Sequence, residues 1–393
     1  MNRPVFLNEL GIVCAPGAGR QAVRDALFRD APSGVAPSDA FAERTLHVGR
    51  VTAPLEDTAV LPPPLRSRNN ALLLTALAEI RPAVNAAIAR FGPERVGIVL
   101  GTSTSGIGES EVAMADFVAQ GALPATFHLS QQELGSPAMA LSGLLGLAGP
   151  AIVISNACAS SAKALASAAR LLRSGVCDAV ITGGADSLCR FTVAGFTALA
   201  SVSEARCNPM SVHRRGINIG EGAALFLMTR DPGPVRLAGW GESSDAHHIS
   251  APEPSGRGAL AAMKAALERA GIGPPEIDYV NLHGTATPQN DAMESRAVHA
   301  LLSGEVPASS TKPLTGHTLG GAGAIEAAIC WLALTDNETG RLPAHWWDGE
   351  PDPELPRLSL VSPGQTWGRP LRYALSNSFA FGGSNAVLIL GRA

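Results

Sequence analysis

The sequence predicts a layered α/β fold assembled from two related halves, and three observations carry that prediction. Apolar, β-branched runs at 96–100, 151–155, 179–181, 225–228, 279–282 and 386–390 have strand length and nearly continuous apolar character. Strands covered on both faces read this way. Ala-rich stretches of helical length lie between them, and small residues let helices sit close on a buried sheet. Finally, two elements recur in the same order. Residues 96–104 and 278–287 each read as a strand followed by Gly-Thr-x-Thr, and 155–161 (Ser-Asn-Ala-Cys-Ala-Ser-Ser) echoes 376–381 (Ser-Asn-Ser-Phe-Ala-Phe).

Taken in order, the run 151–155 feeds a helix over 160–174 that stops at Gly175, and the run 179–181 follows. Glycine just past the last helical residue is the usual stop. The turn-rich Asp231-Pro-Gly-Pro234 separates the halves, 1–235 and 236–393. In the second half a helix over 260–270 ends at Gly271, and a third, Ala/Ile/Leu-rich helix spans 320–335. The Pro- and Trp-rich stretch 340–370 reads as an irregular surface excursion before the last strand.

Composition narrows the function. The chain is 46% hydrophobic and carries a net charge of −4 with no long basic run, which disfavours nucleic-acid binding. Six scattered cysteines form no Cys-x-x-Cys pair, so neither a zinc site nor a redox dithiol is suggested. No signal peptide and no window of membrane-spanning length is expected, which places the chain in the reducing cytoplasm with its cysteines free.

Cys158 sits where the run 151–155 meets the Ala-rich helix. Unpaired N–H groups and the helix dipole at such a junction favour a thiolate and can hold an oxyanion. A small buried cysteine packed at a helix start is the equally good alternative on this segment alone. His283 follows the run 279–282, and His317 precedes the Ala-rich helix, both at strand ends or loops where catalytic groups are often mounted.

Six motifs then occur in order: Ala-Cys-Ala-Ser-Ser at 157–161, Gly-Glu-Gly-Ala at 220–223, Ser-Ser-Asp-Ala-His-His at 243–248, His-Gly-Thr-x-Thr at 283–287, Lys-x-x-x-Gly-His at 312–317 and Asn-Ser-Phe-x-Phe-Gly-Gly-x-Asn at 377–385. As a set they closely resemble the β-ketoacyl-acyl carrier protein synthases of type II fatty acid and polyketide synthesis, members of the thiolase superfamily. The resemblance implies a five-layered αβαβα thiolase-like fold and an acyltransferase performing decarboxylative condensation of malonyl-acyl carrier protein with an acyl group on Cys158. His283 and His317 would bind the malonyl thioester carbonyl, Lys312 paired with Glu326 would hold the histidine region, and the N–H groups of Cys158 and Phe381 would form the oxyanion hole. Phe381 would gate the site. Thr285 and Thr287 would bind the pantetheine arm, Phe196 would line the acyl pocket, and Phe379, Gly382 and Gly383 would complete it. Asp291 and Glu294 are assigned structural hydrogen bonds. Arg66 and Arg68 are candidates for docking an acidic carrier protein.

By the same resemblance no metal or tightly bound cofactor is needed, phosphopantetheine arriving on acyl carrier protein. A dimer is expected through 151–155, of identical chains or with a related ketosynthase-like subunit. Asn156, Arg215 and Ala380 depart from the commoner family residues, and the segment 66–70 resembles ketosynthases of aryl-polyene pigment synthesis. A degradative thiolase would need a second cysteine where Phe379 and Phe381 stand, and a starter-unit synthase would carry Asn at His317. A non-catalytic chain-length-factor subunit is the rival from another class, and such subunits typically lack the nucleophile that Cys158 supplies.

Overall fold

The structure is a computed structural model describing residues 3–393. Its first strand ladder contains β1 (Phe6–Cys14), β2 (Val96–Gly101), β3 (Ala151–Ile154), β4 (Ala179–Asp186) and β5 (Gly222–Thr229). In space the order is β1-β5-β4-β2-β3, with β4, β2 and β3 parallel and β5 antiparallel to both neighbours. The second ladder contains β6 (Val235–Ser244), β7 (Tyr279–Asn281), β8 (Pro307–Ser309), β9 (Ser359–Leu360), β10 (Tyr373–Ala380) and β11 (Ser384–Arg392). It runs β6-β11-β10-β7-β8-β9, with the same alternation of parallel and antiparallel neighbours. Strand for strand the ladders share one topology, the second adding β9 at its edge. A short β1–β6 pairing, Phe6 with Arg236 and Leu7 with Val235, joins them.

Helices complete five layers. On the outer face of the first ladder lie α1 (Arg68–Phe91) and α2 (Ser136–Leu145). Between the ladders lie α3 (Ser160–Arg173) and α6 (Ala322–Leu334), touching both. Outside the second ladder α4 (Arg257–Ala270) packs on β6 and β11, with α5 (Pro288–Leu302) against it. Every residue of α6 is buried, so its Ala/Ile/Leu composition is that of a core helix with no polar face. A side chain at Gly323 would come within 2.8 Å of Ala162, which is why glycine stands where α6 crosses α3.

Four sequence expectations are corrected. The first echo fits the shared topology, since 96–104 and 278–287 are both a second strand and its following loop. The other does not: 155–161 follows the third strand of its ladder, whereas 376–381 lies largely in β10, the fifth strand of the other and the counterpart of β4. The counterpart of 155–161 is the segment after β8, so Cys158 and His317 occupy equivalent places ahead of the two central helices. Next, β3 is an edge strand whose Ala151 and Ile152 are exposed, Ile152 to 41%, and is not covered on both faces. Third, α1 is long and apolar enough, by length and composition, to cross a membrane. Here it lies along the first ladder, with Leu72, Leu73, Ala76, Leu77, Ile80 and Val84 buried. Lastly, 340–370 is irregular apart from β9, yet Leu342, Ala344, His345 and Val361 are buried in it.

Candidate active site

Cys158 lies between β3 and α3 and is 6% exposed. The turn carrying it is tied locally: Ser160 Oγ accepts from Asn156 N at 2.8 Å and donates to Ala157 O at 2.6 Å. Ala157 takes a positive φ of 47°. His317 Nε2 stands 3.1 Å from Cys158 Sγ, although 159 residues separate them. His283 completes the cluster. Its ring centroid is 5.3 Å from that of His317, the planes nearly perpendicular, and one ligand atom from each of the three side chains lies within 4.8 Å of the others.

Each histidine is held by its backbone. His283 N and Gly284 N donate to the two oxygens of Glu294 at 2.7 Å, and Asn377 Nδ2 donates to the same carboxylate at 2.9 Å. Asp291 accepts from Met210 N at 2.8 Å and Ala286 N at 3.2 Å, a bracing arrangement like that of Glu294. His317 N donates to Asn218 O at 2.7 Å, and His317 O accepts from Gly220 N at 2.9 Å. First-half backbone therefore clamps a second-half histidine.

Lys312 is buried, bonded to Glu326 and to His283 O, with Nζ 3.4 Å from His283 Nδ1. An ammonium has only donors, so His283 Nδ1 faces it as an acceptor and Nε2 carries the ring proton. Burial, then the Lys312 charge, lowers both histidines well below their usual range, leaving two neutral imidazoles.

The thiol contradicts the sequence expectation. Burial pushes Cys158 up to about 12, outweighing the opposing Lys312 charge and the Phe381 N–H. The resting pair is a thiol beside a neutral imidazole. Alkylation of Cys158 by iodoacetamide is therefore expected to accelerate about tenfold per pH unit from pH 7 to 9. A rate already level at pH 7, measured by peptide mass spectrometry, would show a preformed thiolate instead.

The cluster opens into a cavity of about 160 Å³. Cys158, His283, His317, Thr285, Thr287, Phe196, Phe379 and Phe381 all line it. Thr285 and Thr287 hydroxyls lie 2.9 Å apart, and the Phe196 and Phe381 rings pack with centroids 5.7 Å apart. Lys312 and Glu326 stand behind this wall, outside the lining. Gly382 and Gly383 also lie outside it, taking positive φ values of 79° and 70° in the turn behind Phe381. Ala380 is extended at φ −109°, a conformation that alanine adopts without strain.

Leu199, Ile217 and Gln289 also line the cavity but belong to no motif that marked them. Asp245, inside the 243–248 motif, accepts from Asn385 Nδ2 at 2.7 Å, and its N–H donates to Gly383 O at 2.8 Å. It ties the Phe381 loop to the chain leaving β6.

The arginines part company. Arg68 bonds the fully buried Glu221 through Nε at 2.8 Å and an NH2 nitrogen at 2.5 Å, so its charge is committed internally, and the expected docking role is withdrawn. Arg66 is exposed but donates to Leu61 O and Ala59 O.

Comparison with known proteins identifies the family. Residues 68–232 match the beta-ketoacyl synthase N-terminal domain, and 235–343 match the beta-ketoacyl synthase C-terminal domain. The chain is 33% identical over 317 residues to 3-oxoacyl-acyl-carrier-protein synthase 2 of Staphylococcus aureus, covering 75% of this chain and 77% of that one. Synthase 2 of Synechocystis sp. is 32% identical over 320 residues, 77% of this chain and 76% of that one. Among solved structures, the ketosynthase (ApeO) in complex with its chain length factor (ApeC) from Xenorhabdus doucetiae is similar at 43% identity and a TM-score of 0.94, over 100% of this chain and 98% of that one. The ishigamide ketosynthase/chain length factor is similar at 26% identity and a TM-score of 0.89, over the whole of both chains. This chain belongs to the β-ketoacyl synthase family and is an enzyme of the acyltransferase class.

Proposed function

We propose that the protein condenses malonyl-acyl carrier protein with an acyl group held on Cys158, in the synthesis of an aryl-polyene type of product. The observation that carries this reading is the Cys158 Sγ to His317 Nε2 contact of 3.1 Å, with His283 beside it in the same cavity. In the first stage Cys158 attacks an acyl thioester, and its proton passes to the departing pantetheine sulfur with His317 Nε2 as the acceptor in reach. The acyl oxyanion meets the N–H groups of Cys158 and Phe381.

In the second stage malonyl thioester enters past Thr285 and Thr287. Loss of CO₂ places enolate charge on the thioester oxygen, where His283 Nε2–H donates. His317 Nδ1 has no hydrogen-bond partner among the described residues, so nothing pins its tautomer. Its Nε2 can accept in the first stage and donate to the enolate oxygen in the second. The carbanion then attacks the Cys158 thioester carbonyl, the bond from that carbon to the Cys158 sulfur breaks, and the released thiolate takes up one proton from solvent to restore the resting thiol. The ammonium of Lys312 beside His283 disfavours a cation in the cluster, so no metal is assigned.

The partners proposed are acyl carrier protein, which brings phosphopantetheine, and a second ketosynthase-like subunit, identical or related, on the exposed edge of β3. The likeness to ApeO with its chain length factor favours a related subunit. Of the two arginines, Arg66 alone is kept as a docking candidate. Residues 1–235 would supply the nucleophile and 236–393 both histidines and the gate, in a cytoplasmic enzyme. Mass spectrometry of carrier-protein-bound products, with short, long and polyenoic primers, tests the proposal. Extension of a primer by two carbons with release of CO₂ is expected, and no extension of any primer overturns it.

A further inference from the structure

Asp186 ends β4 and is fully buried. Its carboxylate gathers donors from three consecutive residues of the loop after β2. These are Thr102 Oγ1 at 2.5 Å, Ser103 N at 2.9 Å with Oγ at 2.5 Å, and Thr104 N at 2.9 Å with Oγ1 at 2.8 Å. One further donor comes from the other half of the molecule: Gly320 N, at 2.6 Å. Gly320 stands three residues after His317, in the short turn Leu319–Gly321 that leads into α6.

That turn is under strain and closely seated. Leu319 takes φ +48°, a left-handed conformation that a branched side chain disfavours. A Cβ at Gly320 would lie 2.6 Å from Ser103 N and 2.8 Å from Asp186 Oδ2, so the backbone rests directly on the carboxylate and its loop. The hydrogen bonds of His317 itself, to Asn218 and Gly220, fix the near side of the turn. Asp186 fixes the far side.

We propose that Asp186 is a positioning residue, seating the turn after His317 on the 102–104 loop and thereby setting where His317 Nε2 stands against Cys158. The inference rests on the roles given above to Cys158 and His317. Geometry this tight matters because a small displacement of a catalytic group costs rate far more than binding. Asparagine has the same size but offers one acceptor oxygen and turns an NH₂ group towards N–H groups that need acceptors.

Asp186→Asn is expected to lower the kcat of condensation at least about tenfold while KM for malonyl carrier protein stays within about twofold. Deuterium exchange by mass spectrometry is expected to speed up in peptides covering 317–322 more than elsewhere. Thr104→Val removes one donor with less risk to folding and should shift both readings the same way, by less. A folded D186N enzyme with unchanged kcat, with KM raised as much as kcat is lowered, or with unchanged exchange at 317–322 overturns the proposal. If D186N does not fold, unchanged kcat and exchange in T104V overturn it. A wild-type enzyme that extends no primer would instead overturn the function proposed above, and the exchange reading would still stand alone.

Discussion

Cys158→Ala is expected to abolish formation of the β-ketoacyl product, by at least about a thousandfold, while decarboxylation of the malonyl thioester remains measurable. The two stages draw on different groups. Acyl transfer needs the sulfur, which alone can form the covalent bond. Loss of CO₂ needs only a place for enolate charge, and His283 with its Nε2 proton faces the cavity whether or not the sulfur is there. Truncating a side chain that is 6% exposed also leaves space beside His317 without exposing a charge, so folding should survive. Carbon dioxide release and β-ketoacyl product, followed in parallel, check the separation. Loss of both together in a folded variant would mean that the thiol takes part in the decarboxylating stage as well.

Lys312→Met should destabilise the protein by about 3–5 kcal/mol, because it strands the Glu326 carboxyl in the interior. The Lys312 and Glu326 side chains are 2% and 3% exposed. Burial already pushes Glu326 up to about 7 against the opposing Lys312 charge, so in the variant its carboxyl takes up a proton more readily still. The sign of the pH effect follows. A carboxyl whose folded pKa lies above its unfolded value stabilises less as pH rises towards the folded pKa, so K312M should be weaker at pH 8 than at pH 5.5. Adding Glu326→Leu removes the stranded group and should restore much of the loss. Urea denaturation of both variants at the two pH values measures this. Equal midpoints for K312M and wild type would show the pair to be energetically neutral.

The six strand runs read from the sequence all fall on strands, and five of them, in β2, β4, β5, β7 and β11, are buried on both faces and so must be apolar on both, whether their neighbours run parallel or antiparallel. The nucleophile and both histidines were legible for a different reason, since six motifs in one order constrain each other. What was hidden depends on contacts between distant segments. Nothing local distinguishes the edge strand β3 from a central one, since Ala-Ile-Val-Ile reads as covered whether a neighbour of this chain or another subunit covers it. The raised thiol of Cys158 is a burial effect, invisible in the helix-start pattern that suggested the opposite. The false echo at 376–381 shows how short polar–aromatic strings recur by chance, whereas Asp186 carries no motif and gains its meaning from a turn 134 residues away. Arg68 looked like part of a basic surface patch only because Glu221, its buried partner, is 153 residues downstream.

The separation of Cys158 from His317 has a consequence for how the protein comes into being. During synthesis the N-terminal half emerges first, and its thiol is present before the imidazole has been made. Until the second half docks, that thiol has neither a proton acceptor at 3.1 Å nor an enolate site beside it. A first half not yet joined by the second therefore carries a nucleophile with no base beside it, and the site is complete only when the turn bearing His317 and the helix α6 after it lie against the first ladder.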